Sequence, residues 1–308
     1  MNLLNLSAEP EWRLRQWLPH SLEAEKVVFF PDACPGKSPL PTGTAVLTRQ
    51  PDWRRFAVSD CGCGMRLLKS GLRAEDLTQD AWDAIADRLR KNKGDLGDLG
   101  GGNHFFDALA SYEDEYLYLL IHTGSRMESG LVDAYVEQPG QFDREFDRVV
   151  TWARENRAAI HAAAEAELGT LQLLMDLPHN TYEPMQDGGA IIRKGAVHVK
   201  PGDLNIIPSH MTGDIALVRS TGLVSESLEA LSHGTGRAMS RAECKPIADS
   251  FDFAAMRRKI MIASGIENSS LRTDGPFAYR DLDACLALLE GYVEPVNRFS
   301  VIAYMGHL

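Results

Sequence analysis

The alternation of apolar and polar positions predicts five β-strands in this chain. Runs rich in β-branched or aromatic residues and bounded by glycine, proline or aspartate are typical of strands. They span Glu25–Phe30, Glu115–His122, Gly189–Lys200, Asp203–Pro208 and Asp214–Arg219. We expect these strands to form mixed sheets at the centre of the molecule.

Apolar residues recur at helical spacing in three further segments. The first is Asp80–Lys91, the second runs from about Phe142 to Leu168 before Gly169 ends it, and the third is Asp281–Tyr292. Strands and helices do not alternate regularly, so the pattern favours an α+β fold with peripheral helices over a doubly wound parallel sheet. No repeat or linker divides the chain, and we predict a single domain over residues 1–308.

Composition and charge narrow the classes of function. The chain has 308 residues, 44% of them hydrophobic, and a formal net charge of −11. That charge argues against a broad non-specific grip on nucleic acid, but it leaves open a local basic groove or an acidic cleft holding cations. No apolar run reaches the roughly 18 residues of a membrane span, and the N-terminus lacks a basic leader. We therefore expect a cytoplasmic protein without a membrane partner.

Four short stretches place metal-ligating side chains beside glycine or at the end of a predicted element. "SDCGCGM" offers Asp60 and Cys63, "LGGGNHFFD" offers His104, "IHTGSR" offers His122, and "LPHNTYE" offers His179. Carboxylate, thiolate and imidazole together suit divalent transition metals, and a thiolate can bridge two of them. Each of these histidines alone is more often structural, and the cysteines alone would fit buried thiols. Their recurrence in four fragments indicates a metal site.

A fifth stretch, "LSHGTGRAMSR", combines one histidine with a Gly-Thr-Gly turn and two arginines. His233 stands directly before the turn, and Arg237 and Arg241 follow it. The stretch fits a phosphate cradle, a catalytic imidazole, or a flexible corner with a polar residue in it. Neither the Rossmann nor the P-loop fingerprint is present, so a nucleotide would have to be held in another way.

Taken in order, these fragments resemble the RtcB family of RNA-splicing ligases. The motifs that carry the resemblance are "DCGCG", "GGGNHFFD", "HTGSR", "HN" at His179-Asn180, "RKGA" at Arg193–Ala196 and "SHGTGRAMSR", followed by "GPFAYRDLD" at Gly275–Asp283. The resemblance runs from roughly Asp60 to the end of the chain. It implies an RtcB-like α+β catalytic domain with a metal-containing cleft.

The resemblance also implies a reaction and its reacting groups. The family joins an RNA 3′-phosphate or 2′,3′-cyclic phosphate to a 5′-hydroxyl in RNA repair and splicing, using GTP and two Mn²⁺ ions. By resemblance, His233 is the nucleophile that accepts GMP, and Cys63 bridges the two ions. Asp60 and His104 complete one Mn²⁺ site, and His122 and His179 complete the other. The implied partners are RNA with broken ends and an activating protein.

Two further sets of residues follow from the same resemblance. The residues expected around the nucleotide are Asn103, Asp107, Ser209, His210, Thr235, Gly236 and Tyr279. The residues expected to contact phosphate or RNA are Arg126, Arg193, Lys194 and Arg237.

Several positions depart from the family pattern. Cys61 replaces an isoleucine and adds a possible soft ligand or an oxidation-prone neighbour. Asp107 is one methylene shorter than the family's glutamate, and Met305-Gly306 stands where the family ends in Lys-Gly. Thr235 replaces an alanine, and Ser209-His210 replaces Gly-Ser. These departures keep two alternatives to the ligase open. One is a metal-dependent enzyme that nucleotidylates RNA ends or hydrolyses a phosphoester with altered nucleotide use. The other is a catalytically idle protein that binds RNA ends.

Overall fold

The computed structural model describes residues 1–36, 38–125, 128–306 and 308. Its strands, in chain order, are β1 (Asn2–Asn5), β2 (Ala24–Cys34), β3 (Thr42–Thr48), β4 (Gly64–Arg73), β5 (Phe105–Ser111), β6 (Tyr116–Thr123), β7 (Leu171–Pro178), β8 (Asn180–Pro184), β9 (Ala190–Lys194), β10 (Ala196–His198), β11 (Leu204–Pro208), β12 (Asp214–Ser220), β13 (Ala230–Ser232), β14 (Met261–Ile262) and β15 (Val293–Met305). The helices are α1 (Glu11–Trp17), α2 (Gln79–Lys91), α3 (Ser129–Asp133), α4 (Pro139–Leu168), α5 (Arg241–Ser250), α6 (Phe253–Arg257), α7 (Asn268–Leu271) and α8 (Leu282–Leu288).

The strands form two large sheets and one small one, which confirms the predicted α+β class with mixed sheets. One sheet has the order β1-β2-β3-β9-β8, the larger has the order β11-β12-β15-β5-β6-β4-β7 with β14 beside β15, and β10 pairs with β13. Most neighbours are antiparallel, but β1 with β2 and β14 with β15 are parallel.

The predicted helices agree with the structure where the apolar stripe is long. The first two occur as α2 and α4, and Thr78 caps α2 by accepting a hydrogen bond from the Ala81 amide at 3.2 Å. The third was expected to reach Tyr292, but α8 ends at Leu288. Its apolar pattern continues past that point because Leu289 and Tyr292 are buried in a turn rather than in a helix.

The predicted continuous strand Gly189–Lys200 is wrong. The chain divides at Gly195, so that β9 belongs to the five-stranded sheet and β10 pairs with β13. Gly195 has a φ of +61°, in the left-handed region, and a Cβ there would lie 2.5 Å from a Thr42 methyl carbon. Only glycine tolerates this bend without strain.

The register of the larger sheet brings four chain segments to one edge. Gly64 at the start of β4 pairs with Thr123 at the end of β6 and with Pro178 at the end of β7. Phe105 at the start of β5 pairs with His122. The residues just beyond these strand ends must therefore meet in one place.

The apolar cores lie on both faces of the sheets and leave this edge to polar groups. One core packs α2 and the end of α4 against the larger sheet around Trp82 and Phe106, and another packs the start of α4 against the five-stranded sheet around Phe29 and Phe142. No helix among the described residues is long and apolar enough to cross a bilayer.

Candidate functional site

The predicted metal ligands form one cluster at the common edge of the sheet. Ligand atoms of Cys63, His122 and His179 lie within 4.8 Å of one another, and so do those of Asp60, Cys63 and His104. The Cys63 Sγ is 3.4 Å from His122 Nε2 and 3.7 Å from His104 Nε2. The single sulfur therefore belongs to both triplets, as a bridging ligand would.

The loop that carries the carboxylate and the thiolate has an unusual backbone. Ser59 and Asp60 both adopt positive φ, 73° and 54°, which costs a non-glycine residue about 1–3 kcal/mol. Two buried side chains hold this conformation. The Lys194 ammonium donates to the Ser59 carbonyl at 2.5 Å, and the Asn180 amide donates to the Asp60 carbonyl at 2.9 Å. Strain compensated in this way is typical of functional loops.

The histidines of the cluster are oriented by their surroundings. The His122 Nδ1 lies 3.1 Å from the Asn103 carbonyl, which makes Nδ1 the donor and leaves the Nε2 lone pair facing Cys63. Burial lowers the pKa of His122 and His179 well below the usual value, so both rings are neutral. A neutral imidazole is the form that binds a metal.

The residues present fit a divalent metal pair. The donors are one carboxylate, one thiolate and three imidazoles, a set that suits Mn²⁺ or Zn²⁺. The His179 Nδ1 is buried and has no hydrogen-bond partner among the residues that the structure describes. Burial also raises the pKa of the Cys63 thiol, and a bound cation is the group that would stabilise its thiolate.

His233 lies against this cluster, with its ring fixed by a buried carboxylate. Its ring centroid is 4.4 Å from that of His179. Its Nδ1 lies 2.5 Å from Asp32 Oδ2 and 2.8 Å from the Gly195 carbonyl. Since both partners are acceptors, Nδ1 carries the proton and Nε2 of the neutral ring keeps its lone pair.

Burial lowers the pKa of His233, but the Asp32 carboxylate and the hydrogen bonds to Nδ1 raise it more, and the net shift is upward. The same carboxylate therefore favours a positive charge on the ring. Asp32 is fully buried, and the Ser232 hydroxyl donates to its second oxygen at 2.6 Å. The arrangement is that of a histidine whose tautomer and charge are set by an aspartate.

The Gly-Thr-Gly turn packs closely against the backbone of Asp32. A Cβ on Gly236, which has a φ of +71°, would lie 2.6 Å from the Asp32 Cα. The Thr235 amide donates to the Pro208 carbonyl at 3.0 Å. Of the three interpretations of this stretch, the structure therefore favours a positioned imidazole over a flexible corner.

A cleft of about 880 Å³ opens beside His233, and all seven residues predicted around the nucleotide line it. That volume is typical of pockets for small molecules and cofactors. The predicted residues on its wall are Asp60, Asn103, Asp107, His122, His179, Lys194, Ser209, His210, His233, Thr235, Gly236, Arg237 and Tyr279. Cys63 and His104 lie just behind this wall and are buried.

The Asp107 side chain lines the cleft and the Met305 side chain does not, although the two residues lie on the neighbouring strands β5 and β15. Asp107 lines the cleft, burial raises its pKa well above the usual value, and its Oδ1 has no hydrogen-bond partner among the described residues. Met305 is fully buried in the core around Trp82 and does not line the cleft. The side chain at the position that resembles the family's terminal lysine thus packs in the core here.

The residues predicted to bind phosphate differ in whether their side chains line the cleft. The Arg237 guanidinium lines the cleft and donates to Asp274 Oδ1 at 2.9 Å, and the Tyr279 hydroxyl donates to the same carboxylate at 3.1 Å. Arg193 is buried and does not line the cleft, and its guanidinium donates to Glu183 and to the Leu228 carbonyl. Its assignment to phosphate stays a prediction. Arg126 lies outside the described residues.

Cys61 is not a ligand in this arrangement. Its sulfur lies 3.8 Å from the Ala57 carbonyl, within the core around Phe142, and it belongs to neither of the two ligand triplets. The expectation of an additional soft ligand at this position is therefore corrected.

Sequence reasoning missed Asp32 and Asp274 and overlooked the role of Asn180. Asp32 lies two residues beyond Phe30, the last residue of the apolar run predicted as a strand, and an aspartate extending such a buried strand was a usable signal. Asp274 lies in a turn, "TDGP", without any distinguishing pattern. Its contact with Tyr279 is local, but only the fold brings it to Arg237.

Comparisons with known proteins show which sequences this chain is similar to. The family model described as tRNA-splicing ligase RtcB matches residues 144–306. The chain is 26% identical to RNA-splicing ligase RtcB2 of Escherichia coli, with 89% of this chain and 86% of the relative aligned. It is 24% identical to RNA-splicing ligase RtcB of Escherichia coli K12 over 77% of this chain and 79% of that protein. It is also 24% identical to tRNA-splicing ligase RtcB of Nanoarchaeum equitans, over 72% of this chain and 62% of the relative.

The family match covers more than half of the chain and includes His179 and His233, and the longer alignment with RtcB2 extends over most of the remainder. The clustering of Asp60, Cys63 and His104 with these histidines is independent of that match. The chain therefore belongs to the RtcB family of tRNA-splicing ligases.

Proposed function

We propose that this protein is a GTP-dependent RNA ligase that joins 3′-phosphate or 2′,3′-cyclic phosphate ends to 5′-hydroxyl ends. The observation that carries the proposal is the contact between the His233 ring and the ligand cluster, with Nδ1 held by Asp32. Nucleotidyl transfer needs a nucleophile and stabilisation of the charge on the phosphoryl oxygens, and an imidazole beside a pair of cations would supply both. Broken RNA is the proposed partner, and the cytoplasm the proposed location.

In the proposed first step, the Nε2 of His233 attacks the α-phosphorus of GTP. A bond forms between Nε2 and phosphorus, the bond from phosphorus to the bridging oxygen breaks, and pyrophosphate leaves. The positive charge that develops on the ring is stabilised by Asp32, 2.5 Å from Nδ1. A 2′,3′-cyclic phosphate is first opened by water, which breaks the bond from phosphorus to the 2′ oxygen and leaves a 3′-phosphate. GMP then passes from Nε2 to the RNA 3′-phosphate, and the 5′-hydroxyl finally attacks that phosphate and displaces GMP.

Two Mn²⁺ ions are the proposed cofactors, with Cys63 as the shared ligand. When bound, they would neutralise charge on the phosphoryl oxygens. The chain's own residues do the rest of the positioning. Tyr279 and Arg237, which both hydrogen-bond to Asp274, form one wall of the cleft. The Asp107 Oδ1 has no hydrogen-bond partner within the described part of the chain and is available to a nucleobase.

Covalent labelling tests the proposal directly. With Mn²⁺ and GTP labelled in its α-phosphate, the purified protein is expected to retain label through denaturation. The adduct should be labile in acid and stable in base, because a phosphorus–nitrogen bond has these properties. Sealing of an RNA with a 3′-phosphate to one with a 5′-hydroxyl should follow. Absence of label with both GTP and ATP would contradict the proposal.

Altered nucleotide use is the second candidate, favoured by the burial of Met305. Without an ammonium group at that position, selection for guanine rests on the remaining cleft residues. Labelling by ATP at a rate comparable to that by GTP, without sealing of RNA, would support this alternative.

Asp32→Asn is expected to slow adduct formation by at least about 10²-fold, because an uncharged amide stabilises a developing imidazolium poorly. The Gly195 carbonyl, 2.8 Å from Nδ1, still accepts a hydrogen bond from the ring, so part of the activity should remain. Single-turnover labelling measures the rate. Bound Mn²⁺ should be unchanged, since Asp32 is in neither ligand triplet. A wild-type rate in this variant would show that the carboxylate has no role.

A further inference from the structure

Helix α4 presents two adjacent polar residues, Asn156 and Arg157, to the interior, and the proposed chemistry uses neither. They are 0% and 1% exposed. Buried amide and guanidinium groups are costly unless fully hydrogen-bonded, so their partners indicate what they do. We propose that this pair positions the loops that carry the metal ligands, an inference that rests on the metal centre of the proposed function.

The guanidinium of Arg157 ties two ligand-bearing segments together. Its Nη1 donates to the Gly62 carbonyl at 3.1 Å and to the Thr123 carbonyl at 3.0 Å. These carbonyls belong to the residue just before Cys63 and the residue just after His122. One nitrogen atom therefore sets the separation between the bridging sulfur and an imidazole that shares an ion with it.

The other side of the guanidinium is anchored to a third ligand-bearing strand. The Arg157 Nε donates to Asp176 Oδ1 at 2.7 Å, and Asp176 lies on β7, three residues before His179. The second oxygen of Asp176 accepts from Arg66 Nη2 at 2.5 Å. The planar guanidinium has its donors in a fixed geometry, and a flexible ammonium would not reproduce these contacts.

Asn156 hydrogen-bonds to the segment that leads to His104, the remaining histidine of the ligand cluster. Its Oδ1 accepts from the Gly97 amide at 2.7 Å, and its Nδ2 donates to the Asp98 carbonyl at 3.0 Å. The Asp98 carboxylate in turn accepts from the Gly100 amide at 2.9 Å, four residues before His104. The glycine-rich loop thus receives its support from α4.

The loop before the bridging cysteine also rests directly on this helix. A Cβ on Gly62 would lie 2.8 Å from the Val150 Cα of α4, so the two backbones are in close contact. Groups that orient the metal ligands without contacting the metal typically contribute about tenfold to about 100-fold in metal affinity. A role of that size is expected for Arg157.

The test compares Arg157→Lys with Arg66→Lys, using Mn²⁺ alone. Both substitutions keep the positive charge beside Asp176, but only Arg157 contacts the Gly62 and Thr123 carbonyls among the interactions described. Electron paramagnetic resonance of free Mn²⁺ should show a dissociation constant raised about tenfold to about 100-fold in Arg157→Lys. The Arg66→Lys value should stay close to that of the wild type.

Two further measurements separate positioning from simple destabilisation. With Co²⁺ alone, the thiolate-to-metal absorption of Cys63 should weaken or shift in Arg157→Lys and not in Arg66→Lys. Asn156→Ala, which leaves the guanidinium intact, should weaken mainly the ion held by Asp60, Cys63 and His104. Thermal unfolding of the metal-free proteins reports whether each variant is folded.

Equal loss of affinity in Arg157→Lys and Arg66→Lys would overturn the inference, since the network would then only support the fold. Wild-type affinity in both Arg157→Lys and Asn156→Ala would overturn it as well, while leaving the proposed function intact. A wild-type protein that binds no Mn²⁺ would overturn both.

Discussion

Replacing His233 with alanine is expected to abolish covalent labelling by GTP and, with it, RNA sealing. Alanine has no atom that can bond to phosphorus, and a water molecule in the vacated space would release GMP rather than retain it. The histidines around it cannot substitute. The His122 Nε2 faces the Cys63 sulfur at 3.4 Å, and His179 lies in the same ligand triplet. Labelling is measured after denaturation, with Mn²⁺ and α-labelled GTP present.

The matched control is His198→Ala. His198 has a side chain 38% exposed, paired with Glu229 at 3.2 Å, and it does not line the cleft. Its removal should leave labelling unchanged. Retention of label in His233→Ala would show that another residue is the nucleophile, and the proposed mechanism would have to be abandoned.

Cys63→Ala is expected to remove both Mn²⁺ ions, whereas His104→Ala should mainly remove one. The reason is that the Cys63 sulfur belongs to both ligand triplets and each histidine to one. Loss of a shared ligand leaves each ion with two protein donors, too few to hold it in competition with water. Metal content after dialysis, measured by elemental analysis, gives the stoichiometry of each variant.

Cys61→Ala is the control for removing a thiol from this loop. The Cys61 sulfur is buried among apolar side chains beside the Ala57 carbonyl, so metal content should not change. Equal losses in Cys63→Ala and His104→Ala would argue against a bridging sulfur. They would favour two separate sites or a single ion.

Local patterns along the chain were sufficient for the elements with a long, regular period. Helices α2 and α4 show a continuous apolar stripe, and Gly169 ends the second where it was expected. The long last strand, Val293–Met305, was missed because polar and charged residues occupy its first half. A strand paired on both sides needs no apolar alternation where its side chains reach solvent.

The candidate ligands could be proposed from the sequence because the chemistry of metal binding restricts each position to a few residue types. Asp60, Cys63, His104, His122 and His179 were therefore visible as residues, although they lie far apart in the chain. Their proximity was not visible. It follows from the register that pairs Gly64 with Thr123 and with Pro178.

The order of residues along the chain thus indicated candidate side chains for metal binding and for nucleophilic attack, since identity and order are local properties. The partners of those side chains follow from tertiary contacts. The tertiary structure placed Asp32 against His233 across 201 positions of the chain, buried Arg193 away from the cleft, and set Arg157 behind the ligands. The physical reason is that hydrogen-bond partners and burial depend on contacts between distant segments, and no pattern within one segment encodes them.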